Sequence, residues 1–310
     1  MALGTNHVTA ARAATFIPEI WSDEIVAAYK KNLVAANLFK KMSFKGKKGD
    51  TVHIPAPVRG SANLKVAETQ VTLNANNESE VQVSINKHYE YSRLIEDIVE
   101  TQALSSLRQF YTDDAGYALA KQVDTDLIRL GRGANGGDGT AAYDKAYKGD
   151  DGTTLYTGTA AALTAAAIRR TIQRLDDADV PMDGRFFIIP PASRNTILGL
   201  SEFTTFNSVG EAASANSIRN GMIGDIYGVS VYVTTNADSA TDGDRIALMA
   251  HKDFAVLAEQ VAVRSQTQYK QEYLGTLFTS DTLYGVQALR TAATVGAAKS
   301  SSAFALAVPA

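Results

Sequence analysis

Residues 220–236, NGMIGDIYGVSVYVTTN, decide how the rest of the chain is read. Glycines at 221, 224 and 228 invite comparison with a loop that cradles phosphate. Such a loop needs a strand before it and a helix after it, so that the helix N-terminus faces the anion. Here a polar stretch precedes, and the β-branched alternation of VSVYV after Gly228 reads only as a strand. The spacing is also GxxGxxxG and not GxGxxG. The stretch therefore reads as a tight hairpin: a short strand, a turn through Tyr227-Gly228 and a return strand. Gly221, Gly224 and Gly228 are then turn and close-packing glycines.

Working outward, LTAAAIRRTIQRLDDAD (163–179) reads as a helix ended by Pro181. RFFIIPP is a short, fully buried strand stopped by prolines, and ASRNTILGL a short helix. On the other side, RIALMAHKDFAVL (245–257) is a buried strand running into a turn. The tail beyond it alternates, as long antiparallel strands do, with one short helix expected near 276–284. Strands and helices interleave, so the fold class is α+β.

The strongest helical stripe lies at 95–130, where Ile95, Val99, Leu104, Leu107, Tyr111, Ala115, Leu119, Val123 and Leu127 recur without a proline. GRG at 131–133 stops it. A continuous helix there is roughly 50 Å long, a beam by globular standards, with Gly116 and Thr112-Asp113-Asp114 as places for a bend.

Before the beam, VQVSINKHYEY places Val81, Val83, Ile85, Lys87, Tyr89 and Tyr91 on one face of a strand that pairs back onto TVHIPA (51–56). A two-stranded hairpin of this kind is not stable alone in water, so it needs something to lie on. Residues 40–60 carry six positive side chains (Lys40, Lys41, Lys45, Lys47, Lys48, Arg59) against Asp50 alone. The readings are a solvated loop, or a tip that touches an acidic neighbour or nucleic-acid phosphate. Residues 16–42, with Pro18 before Ser22, Asp23 and Glu24, read as an amphipathic helix on an extended arm. The Gly- and Asp-rich stretch at 131–160 reads as a surface excursion.

Composition bounds the function. The chain has 310 residues, 45% apolar and 20% charged, with a formal net charge of -3. That describes a folded chain without the global basic field of a dedicated DNA binder. No cysteine is present, which excludes disulfides and thiolate metal sites. No apolar run is long enough for a membrane helix, and the N-terminus lacks the apolar block of a signal peptide, so a cytoplasmic origin is expected.

Chemistry is sparse. His7, His53, His88 and His251 stand alone in sequence, and no nucleophile-elbow or phosphate-loop motif occurs. Asp138, Asp144, Asp150 and Asp151 match no calcium loop. Asp176, Asp177, Asp179 and Asp183 follow a helix C-terminus, which repels anions, and read as a solvated turn. No catalytic residue, cofactor or metal is expected.

The order of these segments resembles the major capsid proteins of tailed bacteriophages, which share the Hong Kong 97-like fold. The resemblance runs over about residues 16–295 through FIPEIWSDEI, the basic hairpin, the long helix, RLDDADVPMDGRFFIIPPASRNTIL and GMIGDIYGVSVYVTTN. It implies an N-terminal arm (1–42), an extended β-hairpin loop (43–94), the spine helix of a peripheral domain (95–131), an inserted surface loop (132–160), an axial domain (161–250) and axial or peripheral strands with a tail (251–310). It also implies pentamers and hexamers that close an icosahedral head around double-stranded DNA without sequence-specific binding or a membrane. Lys45, Lys47, Lys48, Arg59 and Trp21 are then candidate contacts between subunits. With about 15 residues before FIPEIW, it further implies a scaffolding protein in trans, alongside a portal protein and a decoration or cement protein. No asparagine motif for a lysine crosslink is seen. The other readings are an encapsulin-like nanocompartment shell, and a soluble enzyme whose site gathers His88, Arg93 and Asp97.

Overall fold

The computed structural model describes residues 33–46, 48–56, 62–71, 73, 79–97, 106–135, 143, 145–200, 224–240, 243–290 and 301–310. Its centre is a six-stranded sheet in the order β5 (Tyr147–Lys148), β12 (Ala303–Val308), β9 (Arg245–His251), β6 (Arg185–Ile189), β8 (Val229–Val233), β7 (Asp225–Ile226). The three central strands are continuous apolar runs because both faces are covered. Phe186, Ile188, Ile246, Leu248, Ala250, Ala303, Ala305 and Ala307 enter one cluster. Their neighbours Phe187, Ile189, Ala247, Met249, Phe304, Leu306 and Val308 enter the other. Successive side chains point to opposite faces, so burial of every position demands cover on each side.

One cover is α3 (Ala165–Asp177), which brings Ala167, Ile168 and Leu175 onto the sheet with Ile197 of α4 (Pro191–Leu198). Thr164 caps α3 by accepting the Ala167 N–H at 3.2 Å, and Pro191 occupies the first turn of α4. The opposite cover comes from α1 (Ala35–Leu38) and the end of α2 (Ser106–Arg129), through Phe39, Leu127 and Ile128. Phe39 meets Phe186 edge-on with ring centroids 5.1 Å apart.

A second sheet runs β1 (Lys40–Ser43), β10 (Ala255–Lys270), β11 (Gly275–Ala288), β4 (Lys87–Glu96). β2 (Thr51–Ala56) and β3 (Ser79–Ser84) form a separate two-stranded hairpin. Here the single strand expected through Val81–Tyr91 is corrected. Its alternation is real, with Val83 and Ile85 buried and Lys87, Tyr89 and Tyr91 half-buried while the residues between them are exposed. The chain nevertheless changes partners at 85–86, leaving β2 for β11. Alternation reports which face is covered, not which strand supplies the ladder.

Other expectations are also corrected. β4 continues to Glu96, so the helix does not begin at Ile95; its described part starts at Ser106 and spans about 36 Å. It runs past Thr112-Asp113-Asp114 and Gly116 without a break. Residues 276–284 are strand and not helix. Their β-prone threonines, Phe278 and Tyr284 take ladder bonds from strands on both sides. The 132–160 stretch is not a surface loop throughout. Ala134, Tyr143, Ala146 and Tyr156 lie in the core, and β5 pairs with β12. Of the helix expected within 16–42, only α1 falls among described residues, and Lys40 and Lys41 open β1 instead. No helix among the described residues is long and apolar enough to cross a membrane.

Candidate functional site: exposed assembly surfaces and the joint that positions them

The β2–β3 hairpin has a packed root and an exposed far end. Val52, Ile54 and Val83 lie with Met42, Phe44, Val256 and Ala258, so the root rests on the chain's own sheet. The hairpin was expected to need something to lie on, and for its root the chain's own sheet supplies it. The far end differs. Leu64 is 93% and Leu73 87% exposed, with Val66 and Val71 also in the open. Four large apolar side chains in about ten residues without helix or strand expose far more than isolated surface residues do. His53 and Glu80 pair across the hairpin at 3.0 Å, and Gln82 donates to the same carboxylate; these bonds hold Glu80 below its ordinary pKa.

The predicted contact residues fall unevenly. Lys45 and Lys48 are exposed on the approach to β2. Lys47, Arg59 and Trp21 lie outside the described residues, as does Gly221. Tyr227 and Gly228 have φ of 51° and 79°, the pair of positive values that a two-residue hairpin turn requires. The close-packing role does not hold: a Cβ at Gly224 or Gly228 would meet nothing within 4 Å. Gly228 is there for its backbone angle.

Glycine works by close approach elsewhere. A Cβ at Gly285 of β11 would sit 2.3 Å from the Ser84 carbonyl oxygen. The chain crosses β11 at this point as it leaves the hairpin for β4, and the Ile85 N–H donates to the Asp50 carbonyl at 2.7 Å. Gly285 thereby sets how the hairpin departs from the body.

The last turns of α2 join four parts of the molecule. Asp124, fully buried, accepts the Ala35 backbone N–H at 2.7 Å and the Asn236 amide at 2.9 Å. Asp126 accepts from the Tyr284 hydroxyl at 2.8 Å, from Gln122 at 3.2 Å and from Lys87 at 2.9 Å. Burial, then the bond to Asp126, pushes the Tyr284 hydroxyl far above its ordinary pKa. Just beyond, Arg132 grips Asp238 through two nitrogens at 3.0 and 3.3 Å. The segment entering through α1, strands β4 and β11, and the loop that follows β8 are thus tied to one helix end. Each oxygen of both carboxylates accepts at least one hydrogen bond, which suits a mechanical joint.

Asp124 and Asp126 were not singled out from sequence, and Lys87 was read only as part of a strand face. Two acids within the apolar run VDTDLI were the available signal, since aspartate in a buried stripe demands partners.

The three residues of the enzyme reading are strung over roughly 30 Å of β4 and its end. His88 bonds Asp281, Arg93 bonds the Tyr91 hydroxyl and lies over Tyr111, and Asp97 receives the Tyr269 hydroxyl. They do not form one site. Asp176, Asp177, Asp179 and Asp183 are exposed, as a solvated turn requires, and Asp176 also pairs with buried Arg185 at 2.7 Å. Among the described residues no three His, Asp or Glu side chains gather to hold a metal.

Residues 85–305 match a family model described as phage capsid protein. A comparison with curated proteins found no match. A solved structure from Mycobacterium phage Che8 is 24% identical, covering 94% of this chain and 97% of that one at a TM-score of 0.72. The capsid structure of cyanophage P-SCSP1u is 17% identical, covering 99% and 96% at 0.72. The mature capsid of bacteriophage PhiM1 is 13% identical, covering 94% and 92% at 0.70. At these identities the structures speak for a shared fold, the Hong Kong 97-like α+β architecture, over nearly the whole chain.

Proposed function

This chain belongs to the phage capsid protein family, and we propose that it is the major subunit of a tailed-phage head, assembling into pentamers and hexamers around double-stranded DNA. The family model and the solved relatives are phage proteins, so the nanocompartment reading is not favoured. The observation that carries the proposal is the far end of the β2–β3 hairpin. Its apolar side chains, Leu64, Val66, Val71 and Leu73, stand largely exposed among the described residues. Laid across a neighbouring copy, they are removed from water, and Lys45 and Lys48 come within reach of that neighbour's carboxylates.

The shell needs no active site. A scaffolding protein in trans sets curvature in this reading, a portal occupies one vertex and a decoration or cement protein can bind outside. Assembly takes place in the host cytoplasm, and DNA is enclosed without sequence-specific contacts. Electron microscopy of the full chain, expressed alone and with the scaffolding protein of the same phage, tests the reading. Closed particles of uniform size are expected. Monomers and small oligomers under both conditions would refute it.

A further inference from the structure

Tyr143 stands in the core beside the Arg132–Asp238 pair and bears two costs that packing alone does not explain. Its backbone has φ of 56°, a left-handed conformation disfavoured for a residue with a Cβ. Its hydroxyl is buried and makes no hydrogen bond. Phenylalanine would fill the same space without stranding a polar atom, so the ring does not account for the tyrosine.

The surroundings of the hydroxyl do account for it. The Arg132 guanidinium carbon lies 5.8 Å from the centre of the Tyr143 ring. Burial, then the negative charge of Asp238, pushes the hydroxyl well above its ordinary pKa, while Arg132 pulls the other way. Tyr143 is thus a protonated donor kept next to a carboxylate. That carboxylate accepts at Oδ1 from Arg132 at 3.3 Å and from the Ser239 N–H at 3.0 Å. Its Oδ2 accepts the Arg132 Nε–H at 3.0 Å and no second donor among the described residues.

We propose that Tyr143 is a standby donor for Asp238: when Arg132 leaves the carboxylate, the Tyr143 hydroxyl bonds Oδ2 and keeps the loop after β8 attached. Together the three residues form a two-position latch. In one position the turn that follows α2 holds the loop through Arg132. In the other the 143–146 turn, closed by the Ala146 N–H donating to the Tyr143 carbonyl at 3.0 Å, holds it through Tyr143. Arg132 is the member that can leave, because its side chain is 24% exposed and that of Asp238 only 7%. The idle hydroxyl costs stability in the first position and offsets part of the loss of the ion pair in the second. The latch lies within one subunit and does not depend on the shell reading.

A double-mutant cycle on the unassembled full-length subunit tests it. In the wild type Tyr143→Phe deletes an idle group, and the melting temperature is expected to hold or rise. In an Arg132→Met background the hydroxyl is in use, and the same change is expected to lower the melting temperature by several degrees. The effect of Tyr143→Phe therefore reverses sign with the residue at 132. Equal effects in the two backgrounds, or a lower melting temperature from Tyr143→Phe in the wild type, would overturn the standby role. An Arg132→Met subunit that fails to fold would overturn it too, since the hydroxyl should then hold the loop.

Discussion

Asp124 and Ala35, 89 positions apart, share a 2.7 Å hydrogen bond in which the buried carboxylate of the long helix accepts the first backbone N–H of α1. The bond fixes where the N-terminal segment enters the body, beneath the six-stranded sheet. Asp124→Ala leaves that N–H without its acceptor and the Asn236 amide with the Thr125 hydroxyl alone. A loss of about 3 kcal/mol is expected, because stranded buried donors bear the full cost of desolvation. Asp124→Asn keeps one acceptor and loses less. Denaturant melts of the unassembled subunit check this; equal stability of Asp124→Ala and wild type would contradict it.

Asp281 gives the acid limb of stability. Hydrogen bonds from Arg264 at 2.8 and 2.9 Å, joined by His88, hold its carboxyl at about 2, below its ordinary 3.8. A carboxylate depressed by folding stabilises above its unfolded pKa, and that contribution is lost as pH falls through the folded value. The contribution is therefore full above about pH 5 and fades between about pH 4 and 2. Asp281→Asn is expected to flatten this part of the stability profile and to cost about 1 kcal/mol at pH 7, since Arg264 is half in solvent. Melts across that range, compared with the wild type, decide it.

Gly285→Val should redirect the hairpin. The added side chain meets the Ser84 carbonyl, a backbone atom that yields only if the crossing opens. Loss of about 2 kcal/mol or more is expected, together with loss of particles. In contrast Gly224→Ala, whose Cβ meets nothing within 4 Å, should be close to neutral. Similar behaviour of the two variants in melting and assembly would rule out the crossing as the constraint.

Neutralising Lys45, Lys47 and Lys48 together to glutamine tests the basic approach to the hairpin. If these charges steer a neighbour, light scattering will show slower assembly, and the defect will shrink as salt rises from about 50 mM to 500 mM. A defect independent of ionic strength would point to packing instead of charge.

Much of the fold was legible because it depends on local pattern. The apolar runs RFFII and RIALMAH could only be buried strands, and Tyr227-Gly228 could only be a turn between strands. The inward face of Val81–Tyr91 was also readable, residue by residue. The candidate surfaces were legible in part: the basic approach stood out as a charge count. The exposed Leu64, Val66, Val71 and Leu73 did not, because scattered apolar residues in a polar stretch carry no period. Part of β11 was misread for the opposite reason. Residues 276–284 admit both helical and strand spacing, and only pairing with β4 and β10 selects the strand.

The sequence by itself determined where the buried strands RFFII and RIALMAH and the body of the long helix lie, that Val81–Tyr91 turns one face inward, and that the chain carries no thiol chemistry. Those properties follow from side-chain period, backbone propensity and composition, all of which act over a few residues. Tertiary structure decided the rest: that the strand leaving the hairpin changes sheets at 85–86, that β12 slots between β5 and β9, and that Asp124 and Asp126 become a joint. Each depends on groups far apart in sequence. Gly285 must come against Ser84 before the hairpin has a direction, and Ala35 and Asn236 must reach one carboxylate before the burial of that charge is offset.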